Sequence, residues 1–260
     1  MYIMIKSKIV FIFILIFLFS SCSSGKTLDV YMDGENRSLK TRERYLTIKD
    51  LSEGLFMLYD VNLFGNDLVV GTEKATPRVH TVRPNYYSYY IGVNYGEFGG
   101  WVEYGQKDKE NPDGLAIIPD DVKIILNENC RGLIDPRFGN NDVILLTGLR
   151  HLDTDVGKMY ILNDGNVREV YDFNSCPQIY LWDYDEDILY IKTHDKIYSY
   201  KYDEEVKILY EFEKDYGEYY DFDTNNMVKR GNSLIFGSII GIFEFDLVTQ
   251  EKYWYPLIED

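Results

Sequence analysis

Short runs of β-branched and aromatic residues, each opened by a polar pair, recur along this chain. Asn66-Asp67-Leu68-Val69-Val70-Gly71, Asn141-Asp142-Val143-Ile144-Leu145-Leu146, Glu186-Asp187-Ile188-Leu189-Tyr190-Ile191 and Asn232-Ser233-Leu234-Ile235-Phe236-Gly237 follow one pattern. A turn pair leading into such a run is a strand signal. From Asp142 to Asp187 is 45 residues, and from Asp187 to Ser233 is 46. Downstream of each run lies a hairpin signal. Met159–Leu162 passes through Asn163-Asp164-Gly165-Asn166 into Val167–Tyr171, Lys196–Tyr200 through Asp203-Glu204-Glu205 into Val206–Tyr210, and Ile242–Phe245 through Asp246–Gln250 into Glu251–Tyr255. Asp-Gly and acidic turn residues between apolar runs favour hairpins. Upstream, Gly132-Leu133-Ile134, Gln178–Trp182 and Asn226-Met227-Val228 add one more short strand to each unit.

Four strands per 40–50 residues is the period of a β-propeller blade. The Asp246-Leu247-x-Thr249 turn resembles the outer hairpins of PQQ-like and related bacterial propeller repeats. No WD, kelch or PQQ-ligand signature is complete, so the resemblance implies architecture across residues 51–257 and no catalytic residue. The expected fold is all-β: a small propeller of four or five blades, each an antiparallel four-stranded sheet. A β-sandwich is the competing architecture, but it has no reason to repeat at a fixed period. Between Asp67 and Asp142 the spacing is 75. The first unit is therefore read with an insertion at about 73–112 and an outer hairpin of Leu115–Ile118 with Val122–Leu126. Residues 22–50 would supply a linker and a closing strand.

The N-terminus changes the picture. Lys6 and Lys8 precede an apolar run from Ile9 to Phe19, then Ser20-Ser21-Cys22-Ser23-Ser24-Gly25. Positive residues, a short apolar stretch and small residues make a secretory signal. Leu18-Phe19-Ser20-Ser21-Cys22 resembles the lipobox of bacterial lipoproteins, with Phe19 where Leu, Val or Ile is usual. That resemblance implies cleavage after residue 21, a diacylglyceryl thioether on Cys22 and a usually acylated amine. Ser23 is not the Asp that retains many such proteins in an inner membrane. The location implied is the cell membrane or the outer membrane, lipid-anchored and outside the cytoplasm.

Charge and candidate chemistry narrow the function. The chain of 260 residues carries 27 Lys+Arg against 43 Asp+Glu, a net −16, which removal of residues 1–21 takes to −18. Phosphate neutralisation needs clustered cations, so nucleic acid is excluded as a partner. The 73–112 segment interleaves Tyr86, Tyr87, Tyr89, Tyr90, Tyr95, Phe98, Trp101 and Tyr104 with five glycines. Aromatics on loops make amphipathic contact surfaces, so Tyr87, Tyr90, Tyr95, Trp101 and Tyr104 are the candidate ligand-binding residues. The alternative is that these tyrosines are strand residues packing between sheets.

Cys130 and Cys176, 12 and 11 residues before Asp142 and Asp187, fall at near-equivalent places of neighbouring units. Outside the cytoplasm a disulfide between them is permitted, but equivalent positions in adjacent units can exceed the ~7 Å Cα limit for bridging. Buried free thiols are the favoured reading and a bridge the alternative. Alternating acids at Asp183-x-Asp185-x-Asp187 share calcium-loop spacing but lack its glycine and distant glutamate, and are read as solvated turns. His80, His151 and His194 stand in no catalytic motif, and no nucleotide or hydrolase fingerprint occurs. No catalytic residue, metal or cofactor is assigned. The reading is a lipid-anchored envelope binding or scaffolding protein, its partner an envelope protein or glycan. A propeller-type glycoside hydrolase or lyase, and an envelope assembly factor, are the alternatives.

Overall fold

The computed structural model describes residues 26–32, 35–40, 59–64, 67–72, 79–106, 122–137, 140–212, 224–238 and 241–256. Cys22, the signal segment and Leu115–Ile118 lie outside these residues. Apart from one 3₁₀ turn at Gly96–Phe98, the regular elements are all strands, and they form five four-stranded sheets. Sheet one contains β1 (Thr27–Met32), β2 (Glu35–Lys40), β3 (Tyr59–Phe64) and β4 (Asp67–Thr72) in the order β2-β1-β4-β3. Sheet two holds β5 (Val79–Val82), β6 (Ser88–Asn94), β7 (Gly100–Gln106) and β8 (Lys123–Leu126). Sheet three holds β9 (Cys130–Ile134), β10 (Val143–His151), β11 (Thr154–Asn163) and β12 (Asn166–Asp172). Sheet four is β13 (Ile179–Asp183), β14 (Ile188–Lys192), β15 (Lys196–Lys201) and β16 (Lys207–Glu211). Sheet five is β17 (Thr224–Arg230), β18 (Ser233–Ser238), β19 (Gly241–Asp246) and β20 (Lys252–Pro256).

The four sequence runs are β4, β10, β14 and β18, the second strand of their sheets. Two departures from the expected pattern follow. The 75-residue gap holds a whole additional sheet: β5, β6 and β7 come from the segment read as an insertion, and Lys123–Leu126 pairs with β7. Sheet one is not wholly antiparallel, since β1 runs parallel to β4 through Tyr31↔Val69 and Met32↔Val70. The chain enters this sheet as the hairpin β1–β2, and the next described strands, β3 and β4, complete it with β4 beside β1. A parallel pair cannot be closed by a tight hairpin and needs a longer connection, which here includes β2 and β3.

Apolar side chains fill the spaces between successive sheets. Tyr90, Val102, Leu145 and Tyr160 join sheets two and three; Ile144, Met159, Leu189 and Tyr198 join three and four. Leu234, Phe236 and Phe243 pack with Tyr190 and Ile197 between four and five, and Ile235, Ile242 and Tyr255 with Leu28, Val30 and Val70 between five and one. A sheet covered on both faces needs continuous rather than alternating apolar runs, and Val143–Leu146 and Leu234–Phe236 are such runs. Polar side chains bridge the same spaces. Asn226 donates to Val61 O at 2.6 Å and accepts from Val61 N at 2.8 Å, binding β17 to the backbone of β3.

Local details repeat with the sheets. The ladders β7/β8, β11/β12 and β15/β16 each carry one register shift. A bulge sharpens strand twist, so the outer edges of three consecutive sheets turn alike. The Asp164-Gly165 turn has φ of 45° and 76°, the positive values a two-residue hairpin of this kind requires. Cys130 and Cys176 are free and buried, each packed on a glycine of the preceding sheet. A Cβ on Gly92 would lie 2.2 Å from the Cys130 sulfur, and one on Gly148 2.8 Å from that of Cys176. Gly92→Ala is thus expected to cost about 1–3 kcal/mol through overpacking. Urea melts of Gly92→Ala with and without Cys130→Ala measure it, the double variant recovering part of the loss.

Candidate binding surface

The five candidate aromatics do not converge. Tyr90 and Tyr104 point into the space between sheets two and three, their ring centroids 5.0 Å apart. The Tyr90 hydroxyl accepts from Gly165 N at 3.1 Å, and burial is the main cause that pushes its pKa up to about 12. These two are core residues. Tyr87 precedes β6 and packs edge-on against Tyr86 at 5.3 Å. Tyr95 and Trp101 lie at the opposite end of that strand, about 20 Å away for seven residues of strand.

Tyr95 and Trp101 face each other at 5.6 Å and 50° between ring planes. The indole N–H donates to Glu103 Oε1 at 2.7 Å. Beside them, Phe98 at the tip of the 3₁₀ turn is 86% exposed, and Tyr95 is 48% exposed. This turn is held firmly. Gly96 N donates to Asn94 Oδ1 at 2.8 Å, and Gly96 O accepts from Asn129 Nδ2 at 2.7 Å. Glu97 reaches the tip of the β10–β11 hairpin, where its carboxylate lies 2.8 Å from His151 Nε2.

That hairpin is the longest in the molecule's described residues, with strands of nine and ten residues. Its overhang carries Leu152, 91% exposed, at φ 50°, and half-exposed Val156. A branched side chain in left-handed backbone costs about 1–2 kcal/mol, and strain of this kind concentrates at functional positions. A turn built only for stability would place Asn or Gly there. Tyr95, Phe98, Leu152 and Val156 therefore give one end of sheets two and three an exposed apolar surface on two braced loops. Tyr95, Phe98 and Trp101 lay within the aromatic segment of the sequence. Leu152 and Val156 did not, and the only trace of the former is a leucine in a turn.

Several other polar groups brace the scaffold. Asp183, expected in a solvated turn, ends β13 and accepts from Lys229 Nζ at 2.6 Å; Glu186 meets the same ammonium at 2.8 Å. Burial opposes the Asp183 charge, but Lys229 and the N–H groups of Asp185 and Glu186 prevail and hold its carboxyl below the usual range. Asp155 accepts from Cys176 N at 2.6 Å and lies 3.9 Å from His194 Nδ1. This is no nucleophile assembly: burial pushes the Cys176 thiol up, whereas a reactive cysteine needs it lowered. The imidazole of His80 on β5 is instead shifted down, by burial first and then by Arg131.

Buried carboxylates among the described residues are Asp142 and Glu244, in sheets three and five. Asp142 is bound by Tyr202, Asn163 and Asn140. Glu244 accepts from Ser233 Oγ at 2.6 Å, Tyr255 OH at 2.7 Å and Lys26 Nζ at 3.0 Å. Lys26 also sits 3.8 Å over the Tyr253 ring. The two acids have separate sets of hydrogen-bond partners. No family model matches the chain, and no curated protein is significantly similar to it.

Proposed function

We propose that this protein is a lipid-anchored envelope binding module, non-catalytic, that engages a partner protein through the apolar surface of Tyr95, Phe98, Leu152 and Val156. The exposed, strained Leu152 braced beside the Phe98 turn is the observation that carries this reading. Exposed apolar groups of this kind mark interaction sites. A glycan is the weaker fit, because sugar stacking wants one flat platform with free hydrogen-bonding groups. Here the Tyr95 and Trp101 rings are tilted and the indole N–H is taken by Glu103.

The five sheets are read as blades of a small propeller. In support, one edge strand of each sheet packs on that of the next, β5 on β9, β9 on β13, β13 on β17, and β17 on β3. Anchoring rests on the lipobox resemblance at Cys22. Labelled palmitate fed to cells should enter the full chain and not Cys22→Ser, which should leave the membrane fraction. In the anchored chain, Phe98→Ser with Leu152→Asn should abolish co-purification of the envelope partner. Thermal stability should hold, and Leu152→Asn alone should raise it by up to ~1 kcal/mol as the strain is relieved. Partner capture unchanged in the double variant would remove the surface from consideration.

A further inference from the structure

A second feature lies across the molecule, in sheet one. The parallel ladder between β1 and β4 is only two residue pairs long. A cleft of about 550 Å³ lies here, lined by residues of β1, β2 and the start of β4 and by Arg230 at the end of β17. Its volume is within the range of small-molecule sites, about 300–1,000 Å³.

The charges on its walls are sorted by side. Val30 packs toward sheet five, and Arg37 stands directly opposite it in the β1–β2 register, so both share that face. Arg230, at the end of β17, enters from sheet five itself. Asp29 and Asp67 alternate with buried Val30 and Leu68, and so occupy the other face. Ser38 Oγ donates to Asp29 at 2.7 Å and fixes that carboxylate at the wall. Among the described residues, Asp67 and Arg230 have no hydrogen-bond or ion-pair partner, although both line the same cleft. A ligand in this cleft can therefore meet both charges.

We propose that this cleft binds a small zwitterion, an amino acid or short peptide, with its carboxylate on Arg230 and its ammonium on Asp67. Guanidinium–carboxylate and ammonium–carboxylate hydrogen bonds are the strong, charge-assisted class. A ligand with both ends answers both walls, whereas an anion alone would meet two carboxylates and a cation alone two guanidiniums. Backbone groups of β1 and β4 beyond the short ladder add donors and acceptors along the cleft. This site is independent of the Phe98–Leu152 surface.

Calorimetry on the full chain in detergent tests it with alanine, alanyl-alanine and trialanine, each up to millimolar concentration. At least one should bind, and Arg230→Ala and Asp67→Ala should each weaken it about tenfold or more. N-acetylation of the bound peptide should cost the same factor in the native chain and nothing further in Asp67→Ala. Arg230→Lys and Asp67→Asn repeat the test if the alanine variants fail to fold. Absence of binding by all three, equal binding by the capped peptide, or affinity unchanged in both variants overturns the proposal.

Discussion

Glu244→Ala should destabilise the chain by about 3 kcal/mol, since it strips three partners from one buried carboxylate. Ser233 and Tyr255 are left with donors directed at a void, each costing about 1–3 kcal/mol if unsatisfied, offset in part where water enters. Lys26, 37% exposed, recovers most of its hydration, so its share is the smallest. Glu244→Gln keeps the shape and loses the charge, and should fall between the two. The pH dependence has a definite sign. Burial raises the Glu244 carboxyl, but Ser233, Tyr255 and Lys26 outweigh it and hold the folded value below 4.5. Its contribution is therefore present above the unfolded value and disappears as pH falls through the folded one. Urea melts at pH 7 should separate native chain from Glu244→Gln, and the separation should shrink below about pH 4.5. A gap constant across that range would contradict the assignment.

A larger effect is expected from removing β1 and β2 by starting the chain at residue 41. Leu28 and Val30 leave the cluster they share with Val61, Val70, Ile235, Ile242 and Tyr255. Each such side chain contributes about 1.5–3 kcal/mol by burial, and Glu244 loses Lys26 as well. The second cost is at the sheet. β4 becomes an edge, with Val69 and Val70 beside unpaired backbone groups, a template for aggregation. The truncated chain should lose its cooperative transition and precipitate. A synthetic peptide of residues 26–40 added during refolding should restore solubility by pairing with β4. Cooperative melting of the truncated chain at the native temperature would show that the hairpin is an accessory.

What could be read in the sequence depended on locality. The openings at Asp142, Asp187 and Ser233 give the period because each turn and strand is contiguous and repeated. β6 escaped that pattern: it starts at Ser88-Tyr89 with no polar pair, so its sheet looked like an insertion rather than a unit. The parallel β1–β4 pairing joins residues nearly forty apart and leaves no local sign of its register. Exposure is also unwritten. Tyr90 and Tyr95 are the same residue type five positions apart, yet one is core and the other surface. Leu152 reads as an ordinary apolar residue until its backbone angle is known. By contrast, the near-equivalent places of the two cysteines were legible from spacing and favoured the free, buried thiols that are found, each packed on a glycine.

Lys26 has one more consequence. Its ion pair with Glu244 fastens the chain to sheet five only four residues beyond Cys22. Four residues reach at most about 14 Å when fully extended. With the proposed lipid on Cys22, that length would be the whole leash. The flank bearing β19 and β20 would ride close against the bilayer, and the molecule would meet its partners as a low-lying surface fixture with one side permanently turned to the membrane.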